Sequence, residues 1–216
     1  MKTVQSEDVL SFWFPGLPTN DIAAMVRIWE WWFRGGTGTY INEHFIPLLK
    51  QAAIDELDSW SKAPRSRLAL IIILDQFSRT IYRGTAQAFA QDSKACALTL
   101  QGIDVGHYAA LKTLWEKTFF LLPLGHSEDI KNAGLAVELA EQLVLEAPLQ
   151  YRALLEFSAS QARAHRDVIA RFGRHPHRNE VLGRQSTTEE LEYLASTRLV
   201  HTRSMPPNLS QSLSDS

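Results

Sequence analysis

Cysteine is almost missing from this 216-residue chain: Cys96 stands alone, so no disulfide can form within it, and no cysteine framework for a structural metal exists. Long apolar runs are missing too. The longest, Leu68 to Leu74, spans about seven residues, and a membrane-crossing helix needs about twenty. The opening MKTVQSEDVL lacks the apolar stretch of a signal peptide, so the expectation is a cytoplasmic protein that does not engage a membrane. Charge of one sign is also scarce. The formal net charge of -2 gives no whole-chain electrostatic case for nucleic acid. Gly-x-Ser-x-Gly, the phosphate-binding P-loop, His-Glu-x-x-His and Cys-x-x-Cys are all absent. No glycine-rich loop follows Leu74, so a nucleotide-binding strand–loop–helix unit is unsupported and no cofactor is expected.

What remains is the balance of an ordinary globular domain with helical periodicity throughout. Residues 7–14 read as a short helix, broken by PGLPTND, and a second runs from Thr19–Asp21 to Arg34. A third is expected from about Asn42 to Trp60. RLALIIILDQFSRTIYRG follows. Its LALIIIL core could be a buried strand, but the apolar pattern continues through Phe77, Ile81 and Tyr82, which is too long for a usual strand. Further helices are expected at 85–101, 106–122, 127–146, 149–172 and 187–196. Ser127 is expected to cap the helix at 127–146, and Ser186 to Glu189 to form a capping box. The reading is all-α: one domain over residues 1–203, mostly antiparallel helix pairs in a curved right-handed stack, and a disordered tail at 204–216. Trp29, Trp31 and Trp32, with Phe12 to Phe14 nearby, suggest a homodimer burying part of that aromatic area. A membrane surface is disfavoured by the few basic residues flanking it.

Four polar constellations stand out. Asp75, Arg79 and Arg83 are spaced by four and share one helix face, either as an interhelical ion-pair ladder or as one wall of a cleft. His126 precedes Ser127, Glu128 and Asp129 and is expected just outside the helix, where it could face a cleft. His165 lies on the apolar stripe of its helix and could be no more than a satisfied core histidine. The densest is Arg171 to Asn179 with Arg184. Between Arg163 and Arg184 six arginines stand against two acids. Arginine forks match carboxylate and phosphate, so this turn reads either as anion recognition or as internal pairing with acids such as Asp75 or Glu128.

ILDQFSRTIYRGTAQAFAQD, LPLGHSED and HRDVIARFGRHPHRNEVLGRQSTTEELEYL resemble the signature blocks of bacterial domain-of-unknown-function family 924, over about residues 5–200. The resemblance implies a tetratricopeptide-like all-α fold and no particular reaction. It also implies marked polar positions, among them Asp75, Gln76, Arg79, Arg83, His126, Ser127, Glu128, His165, Arg174, His177, Arg178, Asn179 and Arg184. Two positions depart from the family pattern: Ser78 replaces a usual proline, and His175 a usual phenylalanine or tyrosine.

Two functions follow as expectations. In the first, Arg79, Arg83, Arg174, Arg178, Asn179 and Arg184 bind a small anion or an acidic peptide, without a metal. In the second, His126, His165, His177, Asp75 and Glu128 carry out acid–base or metal-assisted chemistry on an anionic substrate.

Overall fold

A computed structural model describes residues 4–17, 21–33 and 36–196. The expected tail at 204–216 lies outside the described residues. The helices in chain order are α1 (Ser6–Trp13), α2 (Ile22–Phe33), α3 (Gly38–His44), α4 (Ile46–Ala53), α5 (Pro64–Ile72), α6 (Ser78–Ile81), α7 (Asp92–Asp104), α8 (His107–Ala110), α9 (Leu114–His126), α10 (Ile130–Glu146), α11 (Leu149–Phe172) and α12 (Thr188–Ser196). There is no strand among the described residues, and none of these helices is long and apolar enough to cross a membrane.

α5 is the hub. Leu68 to Leu74 are wholly buried, because α1, α4, α7 and α9 surround the segment and leave no face for polar residues. Arg67 shares that burial without a carboxylate partner among the described residues. Its guanidinium donates instead to the Ser61 and Leu98 carbonyls, Gln101 and His107. The chain then passes through one π-helical turn, Ile73–Phe77, before α6. Such turns widen a helix locally and recur at functional sites. This one presents Asp75 and Gln76.

Several helix boundaries differ from expectation, each for a local reason. The expected helix from Asn42 to Trp60 is broken twice. Pro47 opens a new helix at Ile46, and Asp55 adopts a left-handed φ of 68° that ends it. The expected helix at 85–101 divides into a 3-10 turn at Ala86–Phe89 and α7. Gly125 does not interrupt α9, which continues to His126 despite Pro123 inside it. His126 therefore sits in a last helical turn rather than outside one. Asp129, not Ser127, caps α10 by accepting from the Lys131 and Asn132 amides. The capping box of α12 is shifted by one residue. Thr187 Oγ1 accepts from the Glu190 amide at 3.2 Å, and Glu190 accepts from the Thr187 amide at 2.8 Å. α11 spans Leu149–Phe172 as expected and ends on Gly173 at φ 67°.

α9, α10 and α11 pack consecutively, and the short Ala147–Pro148 connection turns α11 back along α10. α9 and α11 therefore run in the same direction. The aromatic residues of α1 and α2 are largely consumed within the chain. Trp13 packs against Trp32, Phe77 and Phe119, and Trp29 against Phe157.

Candidate functional site

A groove of about 660 Å³ lies between α9 and α11. Trp115, Thr118, Phe119, Leu122, Gly125 and His126 line it from α9. Leu154, Leu155, Ser158, Gln161, Ala162 and His165 line it from α11. Both sets follow helical spacing, and both step from apolar side chains to a histidine eleven residues later. At 1.5 Å per residue this gives a groove about 16 Å long, apolar at one end and polar at the other. Trp13, Trp29, Trp32 and Phe33 complete the apolar end. Gln76, Arg79, Arg83, Phe89, His177 and Arg178 complete the polar one.

Behind the polar end sit two carboxylates that do not line the groove. Asp75 is 1% exposed. Its Oδ1 lies 2.8 Å from His126 Nδ1 and 3.3 Å from Arg79, and its Oδ2 accepts from Gln76 Nε2 at 2.6 Å. Burial alone would raise its pKa, but the Arg79 charge, His126 and the two hydrogen bonds outweigh burial and hold it below the usual carboxylate range. An ionised Asp75 accepts the Nδ1 proton of His126, so that the ring, when neutral, has Nε2 as its acceptor. Asp92 is the second carboxylate. Both its oxygens take 2.9 Å hydrogen bonds from Arg79, and Oδ2 accepts another from Arg178 at 3.0 Å. Arg178 also donates to the His126 carbonyl at 3.0 Å and stacks on Phe89 with its guanidinium carbon 4.6 Å from the ring centroid. Its buried Nε has no acceptor among the described residues. Arg83 is exposed and has no ion pair among them.

The remaining arginines of the dense turn lie elsewhere. Arg184 grips Glu128 through two hydrogen bonds of 2.6 and 3.0 Å, and Glu128 also accepts from the His175 amide at 2.8 Å. Arg174 donates to Glu190 at 2.6 and 2.8 Å, and Asn179 to the same carboxylate at 3.2 Å. Glu128, Arg174, Asn179 and Arg184 do not line the groove. The structure thus brings Asp75, Arg79, Arg83, His126, His165, His177 and Arg178 together and sets the other four apart. The rings of His126 and His165 are 6.1 Å apart between centroids. No group of three or more histidine, cysteine or acidic residues is arranged to hold a metal ion among the described residues.

A family model described as a bacterial protein of unknown function (DUF924) matches residues 9–198. The chain belongs to this family. The DUF924 chain is also similar to a solved structure, that of the protein of unknown function ATU0120 from Agrobacterium tumefaciens. The two share 33% identity and a TM-score of 0.68, over 89% of this chain and 97% of that one. No curated protein matches the chain. Within this DUF924 fold, sequence reasoning missed Asp92, Ser158, Gln161 and the apolar wall of the groove. Asp92 stands thirteen residues from Arg79 across a 3-10 turn, so no periodicity links the pair. Ser158, Ala162 and His165 do carry a signal, since their i, i+4, i+7 spacing marks one helix face.

Proposed function

We propose that the chain binds a small anion, a carboxylate or a phosphate, at the polar end of the groove. One observation carries the reading. Three arginines and three histidines line the groove, and no carboxylate does so among the described residues. Asp75 and Asp92 hold Arg79 and Arg178 from behind, so the cations face inward and are pre-organised. Arg83 supplies a positive charge not neutralised by its surroundings. A volume of about 660 Å³ suits a small molecule better than a folded peptide partner.

The test is thermal unfolding in phosphate, in acetate and in chloride at matched ionic strength. Phosphate or acetate at about ten times its Kd raises stability by about 1.4 kcal/mol, and chloride does not. Arg83→Ala leaves the ion-free midpoint within about 0.5 kcal/mol and abolishes the anion-dependent rise. Equal midpoints in all three salts defeat the proposal.

A second reading, acid–base chemistry on the bound anion, rests on the Asp75–His126 pair. A buried carboxylate at 2.8 Å from Nδ1 gives the ring one tautomer and makes Nε2 a proton acceptor beside the anion site. Turnover of a carboxylic or phosphoric ester that is lost in His126→Gln supports this reading. Turnover that survives the substitution removes His126 from it.

A further inference from the structure

We infer that the ligand is an amphipathic acid: a carboxylate or phosphate head at the arginine end, joined to an elongated apolar body that lies toward Trp29, Trp32 and Phe119. The inference rests on the anion reading and adds the body. The polarity gradient along α9 and α11 is its first support. α11 steps from Leu154 and Leu155 through Ser158 and Gln161 to His165, and α9 from Trp115, Phe119 and Leu122 to Gly125 and His126, so one continuous channel passes from hydrocarbon-like walls to charge within about 16 Å. A free inorganic anion would use only the last third of it. Indole and phenyl walls of this kind are filled most favourably by hydrocarbon or a planar ring.

Gly125 is the second support and is independent of the gradient. It is the second-last residue of α9. Packing does not require it: a Cβ built there meets no atom within 4 Å. Its φ is not left-handed either. The missing side chain leaves open space in the groove between Leu122 and His126, the place where an acyl or aryl body would join its acidic head. Pro123 and Leu124, the neighbours of Gly125 on the other faces of the helix, are buried.

The test uses linear monocarboxylates of two to eight carbons, with octanol as a headless control, read by the fluorescence of the groove tryptophans and by calorimetry. Burial of a CH₂ tightens binding about fourfold, so octanoate binds at least about a hundredfold more tightly than acetate. Gly125→Leu fills the channel from a position with room for it. It weakens octanoate at least about tenfold without lowering the unfolding midpoint. Ala162→Phe on the facing helix is the second blocking variant should Gly125→Leu fail to fold. Affinity independent of chain length overturns the apolar body and leaves the anion reading intact. Octanol binding as tightly as octanoate, with no effect of Arg83→Ala on either, overturns the acidic head and the anion reading with it. Unchanged octanoate binding in a folded blocking variant overturns the location.

Discussion

At position 175 an imidazole fills a slot that is 1% exposed, and its Nε2 meets no hydrogen-bond partner among the described residues. Burial pushes its pKa well below the ordinary histidine value, and the neighbouring Arg178, His165, His177 and His126 push it the same way. The folded protein therefore keeps His175 neutral while the unfolded chain takes up a proton below about pH 6.5. Stability is complete above that pH and falls as pH drops below it, by up to about 1.4 kcal/mol per unit. His175→Phe keeps the ring's shape and leaves untouched the backbone amide and carbonyl that serve Glu128 and Arg184. The variant should show a flatter urea-midpoint profile between pH 7.5 and 5.5 and exceed the wild type at pH 5.5. Parallel profiles would show that the ring is not held neutral. Arg178 offers the contrasting case at this scale. Removing it strips Asp92 of one of two arginines and the His126 carbonyl of its donor, at a cost of about 3 kcal/mol. Arg178 was legible in sequence as part of a dense turn, but its partner was not. The acids within sight were Asp75 and Glu128, and the chain instead returns Asp92 from 86 positions away.

Helices were legible where their faces are regular and poorly legible where a side chain decides a boundary. α11 keeps a helical periodicity along its length, and its limits follow from Pro148 and Gly173. The end of α9 does not. The helix expected over 106–122 stops short of Pro123, yet α9 runs on to His126 with Leu121, Pro123 and Leu124 buried. The π-turn at Asp75 has no periodic signature in the sequence, being a single wide turn inside an otherwise helical segment. α12 shows how a short element is held. Glu190 receives Arg174, Asn179 and the Thr187 amide on one carboxylate, and these hydrogen bonds, Arg174 foremost, lower its pKa to about 2. Its contribution is complete above the unfolded value near 4.3 and fades as pH falls toward about 2. Glu190→Gln removes the charge and keeps the shape. Amide exchange in α12 should accelerate about tenfold while that of α11 stays as it was. Unchanged exchange in α12 would mean that apolar contacts such as Phe172 with Tyr193 hold the helix instead.

Across the molecule, acids and bases are sorted rather than mixed. A chain of net charge -2 collects cations along one groove and places the matching carboxylates behind them. Stability and ligand attraction then depend on the same charges with opposite sign, and Asp75→Asn separates the two. In the wild type the buried carboxylate neutralises Arg79 and orients His126. The amide keeps the size and loses the charge, leaving Arg79 shared with Asp92 alone. Stability should fall by about 3–5 kcal/mol at neutral pH, as for other buried pairs broken on one side. The acid-sensitive part of that stability should vanish as well. Asp75 has its folded pKa below the unfolded value near 3.9, so its contribution exists above that pH and is lost on acidification. The groove meanwhile becomes more positive by one charge, so phosphate should stabilise the variant by a larger increment than it does the wild type. Urea unfolding of both proteins, with and without phosphate, reads the two effects together. A lower midpoint with a larger phosphate increment fits cations that serve a ligand and are restrained by the carboxylate. A lower midpoint with no phosphate increment in either protein would leave the arginines and histidines of this groove as internal ties of the fold.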